Sequence, residues 1–204
     1  TFNPKSHVRM FPSFQPEADG VTFHLKAVYT DTLRNEYSKE HSTHPIRMSR
    51  ICGPVEVVND TTFTVRFYRM GLDNPKRTGG ICLMASVKQD HKYRSAVQQV
   101  EIRIPYRNKE GIPQRIIFPK LSDVKASVKE ISLNGTADSG LPVYYYVKEG
   151  PAEIKGDKLV LTKIPPRAKF PVKVTVVAWQ YGRSGEPKVQ TAEAVEQSFY
   201  ITAR

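Results

Sequence analysis

The feature of this 204-residue chain that most limits its possible folds is an internal repeat. Pro45 and Pro142 are 97 positions apart, and the Gly-Pro pairs that begin at Gly53 and Gly150 are also 97 positions apart. The segments "TTFTV" and "DKLVL" follow in the two copies, 96 positions apart. Ordered matches at a nearly constant spacing indicate two homologous domains of about 95 residues each.

The ends of the two copies also match. "AVQQV" from Ala96 and "AVEQS" from Ala194 are 98 positions apart, and the two "FP" pairs at Phe11 and Phe118 are 107 apart. The change from 107 to 97 predicts an insertion of about ten residues in the first copy, at 32–42, where the second copy has a tight Asp-Ser-Gly turn.

The local pattern predicts an all-β fold. Short segments rich in β-branched and aromatic residues, such as "FTVRFY", "GICLMAS" and "VKVTVVAW", alternate with Gly, Pro, Asn and Asp clusters. About seven such strands per copy is typical of an immunoglobulin-like sandwich, so we expect two of these in tandem. The expected limits are an N-terminal extension at 1–9, a first domain at 10–104, a linker at 105–113 and a second domain at 114–204.

The second copy resembles the bacterial Ig-like repeats of secreted and surface proteins of Bacteroidetes. The matching elements are the opening "QRIIF" strand, "SGLPV", "GPAEIKGDKLVL", "VTVVA" and the final "QSFYI". The first copy departs further, with "HPI" in place of "GLPV". The resemblance implies a non-catalytic spacer or accessory module beside an enzyme or adhesin domain, as in polysaccharide-utilisation proteins, and a secreted, periplasmic or outer-membrane surface location.

Charge and motifs narrow the function classes. The formal net charge is +11, but the lysines and arginines are scattered among acids and apolar residues, so we expect no nucleic-acid partner. No run of apolar residues is long enough for a transmembrane segment. No nucleophile motif, phosphate-binding loop or Rossmann glycine pattern occurs, and we expect no catalytic residues and no cofactor.

Two smaller residue pairs bear on possible chemistry. His41 and His44 have a loose H-x-x-H spacing in a polar insertion, so we expect exposed loop histidines and no metal site. Cys52 and Cys82, the two cysteines of the chain, are compatible with a disulfide between them and with two separate buried thiols.

The aromatic residues supply the candidate ligand site. Trp179, Tyr181 and Arg183 lie where the "VKVTVVAW" strand passes into a loop, and aromatic faces beside polar groups suit sugars. Packing of the ring is the competing interpretation. Alignment of the two copies sets Ser86 at the position of Trp179. The same alignment predicts that Tyr145 of "VYYYV" points into the core, and that Tyr144 and Tyr146 lie on the opposite face as exposed additional ligand contacts.

Three functions follow as hypotheses. The first is a non-catalytic tandem accessory or spacer region of a secreted or cell-surface glycan-processing protein, whose partners are neighbouring domains of the same polypeptide. The second is a carbohydrate-binding module that uses exposed aromatics near Trp179, for an acidic glycan. The third is an adhesion or protein-interaction module that uses the inserted loop 32–42, because loops carry recognition on such scaffolds.

Overall fold

The structure is a computed structural model that describes residues 6–10, 13–31, 38, 40–68 and 79–203. The chain divides into two compact units. Unit 1 consists of residues 1–17, 21–66 and 78–106, and unit 2 consists of residues 18–20, 67–77 and 107–204. Every regular element of the described residues is a β-strand, which confirms the predicted all-β class and the tandem β-sandwich domains.

The described residues of unit 1 form eight strands in three sheets. They are β1 (Ser6–Met10), β2 (Thr22–His24), β3 (Ala27–Asp31), β4 (Arg47–Cys52), β5 (Val55–Val57), β6 (Thr62–Val65), β7 (Gly80–Val87) and β8 (Ala96–Arg103). The sheets have the orders β1-β3, β2-β6-β5 and β4-β7-β8. Strand β7 alternates strictly between half-buried and buried residues, the pattern of a strand with one face on a core.

In unit 2 the part of the chain that the structure describes forms nine strands with a related arrangement. They are β9 (Ile116–Ile117), β10 (Val124–Lys125), β11 (Glu130–Ser132), β12 (Thr136–Ala137), β13 (Tyr144–Glu149), β14 (Ala152–Lys155), β15 (Lys158–Leu161), β16 (Val172–Trp179) and β17 (Val195–Thr202). The sheets have the orders β9-β12, β11-β15-β14 and β10-β17-β16-β13. Among these nine strands, β10 pairs with β17 in parallel and the other pairs are antiparallel.

The repeat is visible in the pairing of individual residues. Met48 lies opposite Ala85 in unit 1, and Tyr145 lies opposite Ala178 in unit 2. Both strand pairs then shift register at equivalent places, between Arg50 and Cys52 in β4 and between Val147 and Glu149 in β13. A bulge preserved at the same position of both copies means that they share a backbone design as well as a fold class.

Glycine explains the turn that follows each bulge. Gly53 and Gly150 have φ angles of +98° and +101°, a region that other residues rarely adopt. A Cβ atom on Gly150 would lie 2.6 Å from the Lys173 carbonyl oxygen, and one on Gly53 would lie 2.4 Å from that of Gly80. The repeated Gly-Pro pair is therefore a requirement of the backbone.

One alignment point of the sequence is wrong by one residue. The matched "AVQQV" and "AVEQS" place the last strands 98 positions apart, but Ala85 pairs with Gln98 and Ala178 pairs with Val195, a spacing of 97. Buried residues of the two last strands coincide at a spacing of 97 and not at 98. A slip of one residue would exchange the two faces of a strand. The identical residues of "AVQQV" and "AVEQS" therefore do not occupy equivalent positions of the two strands.

The predicted domain limits stay a prediction, and three observations bear on them. Strand β1 begins at Ser6, inside the segment 1–9 that was assigned to an extension. Within the assigned linker 105–113, Asn108 is buried in unit 2. In the inserted loop 32–42, residues 32–37 and 39 lie outside the described residues.

Candidate functional site

Trp179 is at the centre of an aromatic cluster on one face of the β13–β16 pair. The core of unit 2 receives Tyr145, Val147 and Ala178, and these residues alternate with those of the opposite face. On that opposite face Trp179 packs edge-on against Phe67, with ring centroids 4.9 Å apart and an angle of 83°. Tyr144 stacks on the indole, with ring centroids 4.9 Å apart and an angle of 28°.

The centre of the cluster is closed to solvent. Trp179 and Tyr181 have no exposed surface, and Phe67 is 2 % exposed. The indole Nε1 is buried, and no described residue accepts its hydrogen. A sugar in solution has no access to either ring, so the prediction that the aromatics near Trp179 are exposed is wrong. The structure agrees with the packing interpretation, because Phe67, which is distant in sequence, packs on the sheet face that carries Trp179.

Tyr181 extends this buried cluster, and Arg183 supports the turn after it. Tyr181 packs on the Phe67 ring at 6.1 Å, and burial raises the pKa of its phenol. Arg183 is half-buried and donates from Nη1 to the Ala18 carbonyl oxygen at 3.0 Å and from Nε to the Pro187 carbonyl oxygen at 2.8 Å. Its guanidinium is thus engaged with backbone oxygens of unit 2.

The three tyrosines divide as predicted between the two faces, but not in their exposure. Tyr145 is 5 % exposed and lies in the core, which confirms its predicted role, and its hydroxyl accepts a hydrogen bond from the Gly135 N–H at 2.7 Å. Tyr146 is also only 5 % exposed, so its predicted exposure is wrong. Tyr144 is half-buried because it stacks on Trp179.

Buried amides fix the chain around the cluster. Asn108 donates from Nδ2 to the Tyr181 carbonyl oxygen at 2.9 Å. Gln180, with no exposed surface, donates to the Pro142 carbonyl oxygen at 2.7 Å and accepts from the Gly182 N–H at 2.5 Å. Buried amides whose donors and acceptors are satisfied specify a unique backbone arrangement. The predicted ligand residues therefore form part of the structural framework of unit 2.

An open groove elsewhere in unit 2 was not predicted from the sequence. It has a volume of about 590 Å³ and is lined by residues 126–129, residues 161–164 and Phe170. The Leu161 N–H donates to the Lys129 carbonyl oxygen at 2.9 Å, which joins the two walls at the base. Phe170 is 44 % exposed, so its ring is accessible from solvent.

The groove is positively charged. Lys129 and Lys163 line it, and Arg167 and Lys169 lie on the loop that also carries Phe170. None of these four cations forms an ion pair with a described residue, whereas other lysines of unit 2, such as Lys188, do. The groove combines an exposed aromatic face with uncompensated cations, a combination that suits an anionic ligand with an apolar face.

The described end of the inserted loop is attached to the β7–β8 connection of unit 1. The Ser42 hydroxyl donates to the Asp90 carboxylate at 2.5 Å, and His41 stacks on Tyr29 with ring centroids 4.2 Å apart. The Ser42 hydrogen bond and the backbone N–H groups of Tyr93 and Lys92 lower the pKa of Asp90 to about 2. His41 and His44 are exposed, as the sequence predicts.

In the described part of the chain no helix is long and apolar enough to cross a membrane.

Comparison with known proteins adds little beyond the fold. No protein-family model and no curated protein matches the chain. Among solved structures, human protocadherin-24 EC1-2 is similar at 14 % identity and a TM-score of 0.35, covering 93 % of this chain and 92 % of that one. Drosophila N-cadherin EC1-4 matches at 11 % identity and a TM-score of 0.32, covering 92 % and 45 %. Mouse cadherin-23 EC22-24 matches at 18 % identity and a TM-score of 0.30, covering 98 % and 65 %. These scores carry no functional argument.

Proposed function

We propose that the chain is a non-catalytic accessory or spacer region, built of two Ig-like modules, in a secreted or cell-surface glycan-processing protein. Its resemblance to the Ig-like repeats of Bacteroidetes supports the setting. In this role the two modules position or stabilise a neighbouring catalytic domain of the same polypeptide.

The observation that carries this proposal is what the duplication preserves. The two copies share the register of paired strands, the bulge and the glycine turn after it. The side chains that differ between them include the most distinctive ones, since Trp179 in unit 2 corresponds to Ser86 in unit 1. A duplication that keeps the paired backbone while the side chains at the position of Trp179 diverge favours a structural role.

The test compares the full natural polypeptide with a form that lacks residues 1–204. With a catalytic domain in the same reading frame, the truncated form should keep its turnover of short soluble substrates. It should lose thermal stability or activity on the polymeric substrate. A reading frame whose mature product is residues 1–204 alone would overturn the proposal.

A second candidate function, binding of an acidic glycan, is favoured by the groove around Phe170. The ring can stack on the apolar face of a sugar while Lys129 and Lys163 contact its carboxylates. Hydroxyls of Ser127 and Thr162 on the two walls are available to sugar hydroxyls. An exposed aromatic ring and two lysines that line one groove, separate from the buried Trp179, support this candidate.

Affinity electrophoresis tests this candidate with polygalacturonate and a neutral polymer in separate gels. Polygalacturonate should retard the wild-type chain, and the neutral polymer should not. Phe170→Ala and Lys163→Gln should each reduce the retardation by polygalacturonate. Lys188→Gln is the matched control, because it removes the same charge at a lysine paired with Glu110 outside the groove. Equal loss in all three variants, or retardation that disappears at moderate salt, would show charge attraction alone and refute the site.

A further inference from the structure

Cys52 and Cys82 lie directly opposite each other in unit 1. They form the last matched pair of the antiparallel β4–β7 ladder, immediately after the bulge. Opposed residues on antiparallel strands have Cα atoms about 4.5–5.5 Å apart, within the range of about 4.4–6.8 Å that a disulfide spans. The chain contains no other cysteine, so no alternative intramolecular pair competes.

The second copy shows that side chains at these two positions meet. Glu149 and Thr175 are the corresponding residues of unit 2, and they are also opposed immediately after a bulge. The Thr175 hydroxyl donates to the Glu149 carboxylate at 3.2 Å. Because the two copies share their backbone at this point, the cysteine side chains of unit 1 are also directed toward each other.

The environment of the pair is accessible. Cys52 is exposed and Cys82 is half-buried, and both carry free thiols in this structure. Of the interpretation of two separate buried thiols, the burial is therefore wrong, because neither cysteine is buried, while the two thiols are unbonded neighbours. A hydrogen bond with the Cys52 thiol, together with partial burial, raises the pKa of Cys82. Oxidation of the pair should accelerate as the pH rises, because the thiolate is the nucleophile.

We propose that Cys52 and Cys82 are a modification site at which a cross-strand disulfide joins β4 to β7. One thiolate attacks a low-molecular-weight or protein disulfide and releases one thiol. The second cysteine then attacks the mixed disulfide and releases the other thiol, which carries away the electron pair. The chemistry is independent of the proposed function; only its occurrence in nature rests on the proposed secreted location, where disulfides persist.

The cross-link would stabilise unit 1 by restricting its unfolded chain. It closes a loop of about 30 residues, and the entropy that such a loop removes from the unfolded chain corresponds to a rise in Tm on the order of 10 °C. Its position on a solvent-facing sheet surface leaves it open to reductants, and exposed disulfides are the more readily reduced ones. The unit would therefore have a stable oxidised form and a less stable reduced form.

The test equilibrates the reduced full chain with defined mixtures of reduced and oxidised glutathione, followed by acid quenching and intact mass measurement. The expected product is a monomer lighter by two hydrogen atoms, with one proteolytic cross-linked peptide pair containing Cys52 and Cys82. Its Tm should exceed that of the reduced chain. Cys52→Ser and Cys82→Ser, each with one thiol left, should give only glutathione adducts and no such gain in Tm.

Monomers that carry glutathione on both cysteines at equilibrium, or disulfide-linked dimers without the internal cross-link, would overturn the proposal. So would an internal cross-link that leaves the Tm unchanged or lowers it, because the geometry would then be strained. These outcomes are read on the purified chain and leave the accessory role untouched. A failed deletion test of the accessory role leaves the cross-link equally untouched.

Discussion

Replacement of Trp179 by alanine separates a structural role from a binding role. The side chain has no exposed surface and lies between the rings of Phe67 and Tyr144. Truncation of a buried tryptophan to alanine destabilises a domain by about 3–5 kcal/mol, and each lost aromatic pair contributes about 0.5–1.5 kcal/mol beyond its area. These terms overlap, so we expect a loss of about 4 kcal/mol in the free energy of unfolding.

Differential scanning calorimetry measures this effect. For a unit of about 100 residues, 1 kcal/mol shifts Tm by about 4–8 °C, so the transition of unit 2 should fall by roughly 15–30 °C. Trp179→Phe keeps a ring between its two neighbours and should lose about 1–2 kcal/mol.

Two controls accompany the experiment. Phe170→Ala removes an exposed ring from the same unit, and Ser86→Ala changes the equivalent position of unit 1; each should change stability by about 0.5 kcal/mol or less. A Trp179→Ala chain that melts within a few degrees of the wild type would refute the burial argument. Loss of glycan retardation in such a stable variant would restore Trp179 as a binding residue.

Three further predictions concern local features. Gly150→Ala should destabilise unit 2 by about 2 kcal/mol or more in urea unfolding, because its φ is +101° and a backbone oxygen would lie 2.6 Å from the new Cβ. Gly140→Ala is the control: its φ is +75° and nothing lies within 4 Å of the new Cβ, so it should lose about half as much stability. Equal losses in the two variants would contradict the steric reason. Burial raises the pKa of Tyr181, so its contribution to stability is present below about pH 10 and is lost as the pH rises toward the folded-state pKa. In urea titrations above about pH 10 the wild type should lose stability more steeply than Tyr181→Phe, by up to about 1.4 kcal/mol per pH unit. Parallel losses in the two proteins would exclude the effect. Ser42→Ala should raise the pKa of Asp90 from about 2 toward its ordinary value of 3.8 in an NMR titration, and an unchanged pKa would mean that the backbone N–H donors alone hold it down.

The features of the fold that could be predicted from the sequence are those set by local backbone requirements. Gly53 and Gly150 were found as a repeated Gly-Pro pair, and both need a positive φ that few other residues tolerate. Tyr145, which the sequence places in the core, is buried, and so is Met48 at the equivalent paired position of unit 1. Turn glycines and alternating core positions depend on neighbours close in the chain or directly across a ladder, so a single sequence reveals them.

The groove around Phe170 could not be predicted in this way. Its walls come from residues 126–129 and 161–164, two segments that contain no motif and that meet only because Lys129 and Leu161 are joined by a backbone hydrogen bond. Uncompensated charge is equally invisible in a sequence, because whether a lysine has an acidic partner depends on the fold. The scattered lysines that argue against a nucleic-acid site are compatible with a smaller cationic groove.

The burial of Trp179 shows where comparison of the two copies goes beyond either sequence segment alone. At the same paired position, unit 1 has Arg47 opposite Ser86 and unit 2 has Tyr144 opposite Trp179. Such a change from polar to aromatic on the face away from the core has two physical explanations: a ligand surface, or a second layer that covers this copy alone. The covering residue is Phe67, more than 70 positions before Tyr144, so no local pattern distinguishes the two. Full burial of Trp179 selects the second explanation. It follows that a divergent aromatic pair in a repeated sandwich should be tested for lost stability before it is tested for lost binding.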